Sequence, residues 1–385
     1  MSSGAVGIGM LGCGFMAQAH SFALRALASV APSDPQPALM TICGREPEQV
    51  DTARRRLGFA RGVTDWRLLL DDDRVEVLDD CAPNHLHPEP VVAAAARGKH
   101  VFCEKPLATS AGAARAMWVA AERAGIVHMC GFNFRFFPAI RRAREMLEAG
   151  DLGELTHFRA RFLASSALSD DQRWTWRFRR ATAGTGALGD LGSHLIDLAR
   201  YLVGEPTSVA GILRTFVPER DGGLVDVDDA FLGAVEFEGG ALGTLEASRV
   251  AGRRSNTCAF EVDGTRGSLG FDGERLNELE VHRERKATVR MEVTSPRDPF
   301  MELWWPSPGH ALGWGDSFTH EMHHLLCAVR GDGVVAPHGA DFADGYRCAE
   351  VCDAISRSAV SGQRERVAYR ELDDQHGGDA SSTKR

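Results

Sequence analysis

One stretch constrains this chain more than any other: Gly12-Cys13-Gly14-Phe15-Met16-Ala17. It follows an apolar run, Ala5–Leu11, that reads as a strand, and it opens a helical stretch, Phe15–Ser29. In that context G-x-G-x-x-A has a mechanical meaning. Gly12 permits the tight turn, Gly14 lets backbone approach a pyrophosphate, and Ala17 allows the helix to pack closely on the strand. Phe15 and Met16 begin a helix whose free N–H groups and positive dipole end favour phosphate. A chain carrying this loop after its first strand is expected to build a parallel, doubly wound sheet.

The rest of the first third agrees. Strand-like runs at Ala38–Cys43, Val75–Cys81, His100–Cys103 and Val127–Phe132 alternate with Ala-rich helices such as Glu89–Arg97 and Ala111–Ala124. Strand and helix in alternation imply a parallel sheet covered on both faces. After residue 133 the rhythm changes. A helix at Ala139–Ala149, a strand at Leu155–Leu163 and a helix at Ala187–Val203 precede short strands from Ser208 to Val293, divided by Gly- and Asp-rich turns. That pattern reads as a largely antiparallel sheet. A Pro- and Trp-rich loop, Ser295–Trp314, leads to helices near Asp316–Arg330 and Asp341–Val360. The expected organisation is a dinucleotide-binding domain at 1–133, an α/β domain with a large open sheet at 134–370, and a polar, disordered tail at 371–385.

Charge and cysteine usage narrow the function classes. A net charge of −9 argues against nucleic acid or an anionic membrane as partner, because both need clustered Lys and Arg. No run of apolar residues is long enough to span a bilayer, and the N-terminus lacks the positive region of a signal peptide. The nine cysteines show no C-x-x-C pair and no metal-ligand spacing, so reduced thiols, a cytoplasmic location and no metal site are expected.

Three clusters carry candidate chemistry. At the end of the second strand the usual ribose-binding carboxylate is replaced by Gly44-Arg45; Arg45 suits a 2′-phosphate or stacks on adenine, so the cofactor reads as NAD or NADP. Cys103-Glu104-Lys105-Pro106 and Ala82-Pro83-Asn84-His85-Leu86-His87 end two strands at the same crevice, where parallel sheets bind ligands. Gly12, Gly14, Phe15, Met16, Ala17, Arg45, Pro83, Asn84, His87, Glu104 and Lys105 form the expected cofactor set. The third cluster is Asp190-Leu191-Gly192-Ser193-His194-Leu195-Ile196-Asp197. Asp190, His194, Asp197 and Tyr201 share one face of a regular helix, and such a polar stripe on an apolar helix needs partners or a purpose.

The segments G-C-G-F-M-A, A-P-N-H-L-H, E-K-P-L, G-F-N-F-R-F and G-D-L-G-S-H-L-I-D together resemble the Gfo/Idh/MocA oxidoreductases, the glucose–fructose oxidoreductase and inositol dehydrogenase family, from about residue 5 to 370. Glu246-Ala247-Ser248-Arg249 and Pro308-Gly309-His310 look most like the branch of levoglucosan and sugar 3-dehydrogenases. The resemblance implies a Rossmann domain, a second domain whose open sheet makes a homodimer or homotetramer, and a catalytic set of Lys105, Asp190 and His194. It further implies a sugar or cyclitol substrate bordered by Lys105, Asn133, Arg135, Trp176, Arg177, Asp190 and His194, with Trp174 in the same loop.

Oxidising a secondary hydroxyl needs a base for its proton as hydride leaves carbon. A free lysine titrates near 10.4 and is a poor base at neutrality, whereas histidine starts near 6.5. The expectation is that His194 takes the proton, oriented by Asp190, while Lys105 holds the oxygen; the reversed assignment stays open. Two rivals use the same fold: a non-catalytic NAD(P)- or sugar-binding regulator, and a redox-neutral NAD-dependent glycoside-cleaving enzyme.

Overall fold

The computed structural model describes residues 4–168 and 173–372. Six strands form the first sheet: β1 (Val6–Leu11), β2 (Pro37–Cys43), β3 (Arg61–Val63), β4 (Val77–Asp80), β5 (His100–Cys103) and β6 (His128–Cys130). They are all parallel, in the order β3-β2-β1-β4-β5-β6. Every residue of β1 is buried, as a central strand covered on both faces requires. The strands alternate with α1 (Phe15–Val30), α2 (Pro47–Leu57), α3 (Trp66–Leu70), α4 (Pro88–Ala96) and α5 (Ala111–Ala124). Local chemistry sets their ends. Ser110 caps α5 by accepting from the Ala113 N–H, Gly125 closes it in the left-handed conformation, and prolines sit in the first turns of α2 and α4.

The second half begins with α6 (Pro138–Glu148) and β7 (Leu155–Ala164), followed by the short α7 (Arg180–Ala183) and α8 (Ser193–Leu202). Then come β8 (Pro206–Arg214), a small hairpin of β9 (Glu219–Arg220) and β10 (Gly223–Leu224), β11 (Ala230–Phe237), β12 (Leu242–Ser248), β13 (Asn256–Gly264), β14 (Gly267–Asp272), β15 (Glu278–Arg283) and β16 (Val289–Glu292). The chain closes with α9 (Trp314–Arg330), α10 (Phe342–Ser361) and β17 (Glu365–Arg366). Nine strands pair in the order β16-β15-β14-β13-β7-β12-β11-β8-β17, antiparallel except where β7 meets β12.

Period-two alternation gives this sheet one apolar face. Phe158, Ala160 and Phe162 of β7 point inward beside Phe260, Val262, Leu245 and Phe231; α8 lies across β7, and α6 across β14 and β15. The opposite face carries Arg159 paired across the ladder with Glu261, together with exposed Ile212 and Leu232. Helix α9 returns to the first sheet and packs on α1; Arg330 near its end binds Glu76 at 2.7 Å.

Two sequence expectations change here. Strand β3 went unseen because three residues with two exposed carry almost no periodic signal. The helix expected at Ala187–Val203 runs from Ala187 to Leu202 but is not α-helical throughout: Leu188–Gly192 is wound as a π-turn, and the α-helix follows from Ser193. Its start is held from a distant loop, where the Asp228 carboxylate accepts the N–H groups of Gly186 at 2.7 Å and Leu188 at 2.8 Å. Gly192 is squeezed onto β11, since a Cβ there would lie 2.4 Å from the Phe231 ring. The tail expected to be disordered lies, beyond Leu372, outside the described residues.

Candidate active site

The cofactor loop is built as its residues dictate. Gly12 has φ +119° and sits against Cys81, so a side chain is excluded both by backbone conformation and by space. Gly14 caps α1 and no side chain fills that cap; a Cβ added there would meet nothing within 4 Å. The result is a helix N-terminus whose first N–H groups have no side-chain cap among the described residues and open room above them, which fits a dinucleotide pyrophosphate. Ala17 is fully buried against the sheet, and the exposed Phe15 ring stacks on Trp314 at the start of α9, 5.7 Å between centroids. Met16 is half-buried beside it. Arg45 stands exposed just past β2 and pairs with Glu46 at 3.1 Å.

Lys105 leaves the end of β5 and crosses to the second half. Its Nζ donates to the Asp190 carbonyl at 2.7 Å and lies 3.3 Å from Asp190 Oδ1. The π-turn makes this contact possible, because the distorted turn offers both a main-chain carbonyl and a carboxylate to one ammonium. Burial pushes the Asp190 carboxyl up, but the charges of Lys105, then Arg249 and Arg177, outweigh it and hold it at about 2.

His194 stands one turn further on, 7% exposed, in a cage of Phe132, Phe134 and Phe162 with ring centroids 6.0, 4.6 and 5.8 Å away. Its Nδ1 is buried without a hydrogen-bond partner among the described residues. Burial, and next the Lys105 charge, pull its pKa well below the ordinary histidine range; Asp190 opposes weakly. The imidazole is therefore neutral at neutral pH. Asp190 does not orient the ring by a hydrogen bond as expected: its carboxylate is taken by Lys105.

The helical stripe thus divides into two sites. Asp197 forms a buried bidentate pair with Arg135 at 2.9 and 2.6 Å, and Arg135 also reaches Asp344 at 3.0 Å. Tyr201 accepts from Arg141 at 3.1 Å, with the Arg135 guanidinium over its ring. Arg135, expected to border the substrate, is 3% exposed and has its donors spent inside the protein. Asn133 is likewise turned away, donating to Ser317 of α9 at 2.8 Å.

Several expected cofactor contacts prove internal. His87 is fully buried between the carbonyls of Leu107 and Ala82, tying two crevice loops together. Asn84, following Pro83, donates to the Ala183 carbonyl at 3.1 Å. The Glu104 carboxylate is shared between His20 and the Lys105 backbone. Trp176 is half-buried with the exposed Arg177 over its ring at 4.5 Å, and Trp174 packs on Gly223 of the β9–β10 hairpin. Sequence reasoning singled out Arg249 only as part of a branch motif and gave it no place in the site, where its guanidinium binds the Asp228 carbonyl at 2.9 Å; it missed Asp228 itself. Both lie far along the chain from Asp190–Asp197, and nothing in their local sequence ties them to that segment. It also missed the convergence of His20, Asp79 and Cys81, which only the fold brings together. All nine cysteines are free.

Residues 6–132 match the family described as "Oxidoreductase family, NAD-binding Rossmann fold", and residues 140–270 match "GFO/IDH/MocA C-terminal domain". The chain belongs to the Gfo/Idh/MocA oxidoreductases. It is 39% identical to levoglucosan dehydrogenase of Pseudarthrobacter phenanthrenivorans, over 92% of this chain and 96% of that one. It is 28% identical to glucose-6-phosphate 3-dehydrogenase of Bacillus subtilis, over 90% and 94% of the two chains. The solved structure of levoglucosan dehydrogenase in complex with NADH and levoglucosan superposes with a TM-score of 0.91 at 39% identity, covering 95% of this chain and all of that one. As a Gfo/Idh/MocA member, the chain joins an NAD-binding Rossmann sheet to the open mixed sheet of the C-terminal domain.

Proposed function

We propose that this protein is an NAD-dependent dehydrogenase that oxidises a secondary hydroxyl of a free sugar, anhydrosugar or cyclitol, with Lys105, Asp190 and His194 as its catalytic set. The observation that carries the reading is an ammonium and an unpartnered neutral imidazole converging on one turn, Asp190–His194, at the carboxyl end of the parallel sheet. Bound NAD supplies the hydride acceptor.

An ammonium has three N–H donors. Two of Lys105's face Asp190, which leaves one for a substrate oxygen. His194 is neutral, and its Nδ1 is sealed in the cage without a partner among the described residues; with the ring proton on Nδ1, Nε2 is the nitrogen that takes the hydroxyl proton. The charge left on oxygen is then held by Lys105, and the new imidazolium is favoured by the Asp190 carboxylate. This division of labour supports His194 as base over Lys105, whose amine is already committed as a donor. Trp176 and Arg177 border the sugar from the loop before the π-turn. The Glu46 carboxylate beside Arg45 offsets the charge that a 2′-phosphate would need, which favours NAD over NADP.

The domain boundary at 133/134 follows the change from parallel to mixed sheet. We assign the protein to the cytoplasm, where nine unpaired thiols persist. The outward face of the nine-stranded sheet, with exposed Ile212 and Leu232, is our candidate interface for a homodimer or homotetramer.

The test is a panel of free sugars, anhydrosugars and inositols, each with NAD and with NADP. Net reduced nicotinamide from NAD on at least one free sugar is the expected result. Substrate consumed without net reduced cofactor supports the redox-neutral rival, and binding without turnover supports the regulator.

A further inference from the structure

Behind Lys105 lies a buried polar cluster that the proposed chemistry does not use. His20 of α1 is fully buried, with the Phe102 and Phe318 rings against it. Its Nδ1 is 2.9 Å from Asp79 Oδ1 at the end of β4, and its Nε2 is 3.1 Å from Glu104 Oε1 just after β5. Cys81 lies 3.2 Å from Nδ1. Glu321 of α9 stands nearby with neither carboxyl oxygen partnered among the described residues. A ring flanked by a carboxylate on each side donates to both when both nitrogens carry protons. Burial opposes that charge, while Cys81 and the hydrogen-bonded Asp79 carboxylate shift the His20 pKa upward.

The second oxygen of Glu104 points at the crevice. Glu104 Oε2 accepts the backbone N–H of Lys105 at 3.0 Å. The carboxyl is also wedged from behind, since a Cβ on Gly131 would lie 3.1 Å from Oε1. A continuous line of contacts therefore runs from α1, whose N-terminus lies at the cofactor loop, through His20 and Glu104 to the peptide that aims the Lys105 ammonium at Asp190. Buried ion pairs of this kind are weak sources of stability, because desolvation offsets their attraction. Their value lies in fixing one geometry.

We propose that His20 and Glu104 are a positioning pair for Lys105: His20 clamps one oxygen of Glu104 so that the other fixes the Lys105 peptide and hence the reach of its amine. The proposal rests on the reading of Lys105 as the group that holds the substrate oxygen.

The test compares Glu104→Ala, Glu104→Gln and His20→Gln in the full-length protein. Glutamine at 104 keeps an oxygen for the Lys105 N–H, whereas alanine removes it. Three quantities are read: kcat per NADH-binding site, with sites counted by NADH fluorescence titration; the NADH Kd; and the rate at which NADH-protectable Lys105 is labelled by pyridoxal phosphate. Glu104→Ala is expected to lower kcat per site by about 10–100-fold, the scale of a displaced catalytic group, with the NADH Kd within about threefold. Glu104→Gln should recover most of that loss, His20→Gln should fall between, and the Lys105 labelling rate should follow the same order. Unchanged kcat per site and labelling in Glu104→Ala would overturn the proposal. So would a loss expressed only as fewer binding sites, or a Glu104→Gln no better than Glu104→Ala. Wild-type protein without turnover on any sugar would count against the dehydrogenase reading, and the labelling series would still decide the positioning role.

Discussion

His194 is built into its cage at a thermodynamic cost, and replacing it by leucine exposes that cost. An orphaned polar group in a buried site destabilises the fold by about 1–3 kcal/mol. Leucine fills similar space among Phe132, Phe134 and Phe162 and carries no polar atom. It forgoes the edge-to-face contacts with Phe132 and Phe134, each worth about 0.5–1.5 kcal/mol, though part of that packing survives as aliphatic contact. The expected balance is an unchanged or modestly increased stability, a gain of up to about 1 kcal/mol.

The pH dependence has a definite sign. Folding depresses the His194 pKa, so the unfolded chain takes up a proton near 6.5 that the folded chain refuses. Wild type therefore loses stability relative to His194→Leu as pH falls below about 6.5. Turnover behaves oppositely: loss of one general base should lower kcat by roughly 10²–10⁴, about 2.7–5.5 kcal/mol of barrier. Denaturant unfolding at about pH 8 and about pH 5, with NADH formation on the best sugar from the panel, measures both effects. A His194→Leu protein that keeps its turnover, or that loses several kcal/mol of stability, would refute the argument. The second result would mean that the imidazole holds the fold together.

Three further outcomes follow from the geometry. Gly14→Ala meets no atom and should melt like wild type, yet weaken NADH binding tenfold or more, about 1.4 kcal/mol by titration; Gly12→Ala should instead destabilise the fold by about 1–3 kcal/mol, because its φ is positive and Cys81 fills the space. Arg135→Met strands Asp197 and Asp344 and should cost about 3–5 kcal/mol in unfolding free energy; a normal melt with a raised sugar KM would return Arg135 to the substrate. Burial pushes the Asp80 carboxyl up to about 6 against the opposing charge of His87, so its contribution to stability is complete below pH ~4 and lost as pH rises through ~6. Asp80→Asn should consequently be up to about 3 kcal/mol more stable than wild type at pH ~8 and equal to it near pH ~4, as measured by denaturant midpoints.

What the sequence alone determined was local. The glycine loop, the capping Ser110 and the helix-start prolines, and the two- and 3.6-residue periodicities each act within a few residues. They carried the parallel sheet, the change of rhythm after residue 133 and the nomination of Lys105, Asp190 and His194 for one crevice. The tertiary structure decided everything that depends on partners far apart in the chain. A regular helix puts Asp190, His194, Asp197 and Tyr201 on one stripe; in the fold Leu188–Gly192 is wound as a π-turn, with the Asp228 carboxylate at its start and Phe231 against Gly192. Asp190 then falls to Lys105, and Asp197 to Arg135. Glu104, Asn133 and His87 looked like ligand-binding residues for the same reason: polar side chains at strand ends serve crevices and buried networks alike. Only the tertiary packing, with α1 supplying His20 to Glu104 and α9 supplying Ser317 to Asn133, reveals which carboxylates, amides and imidazoles are already spoken for, because a hydrogen bond is satisfied through space rather than along the chain.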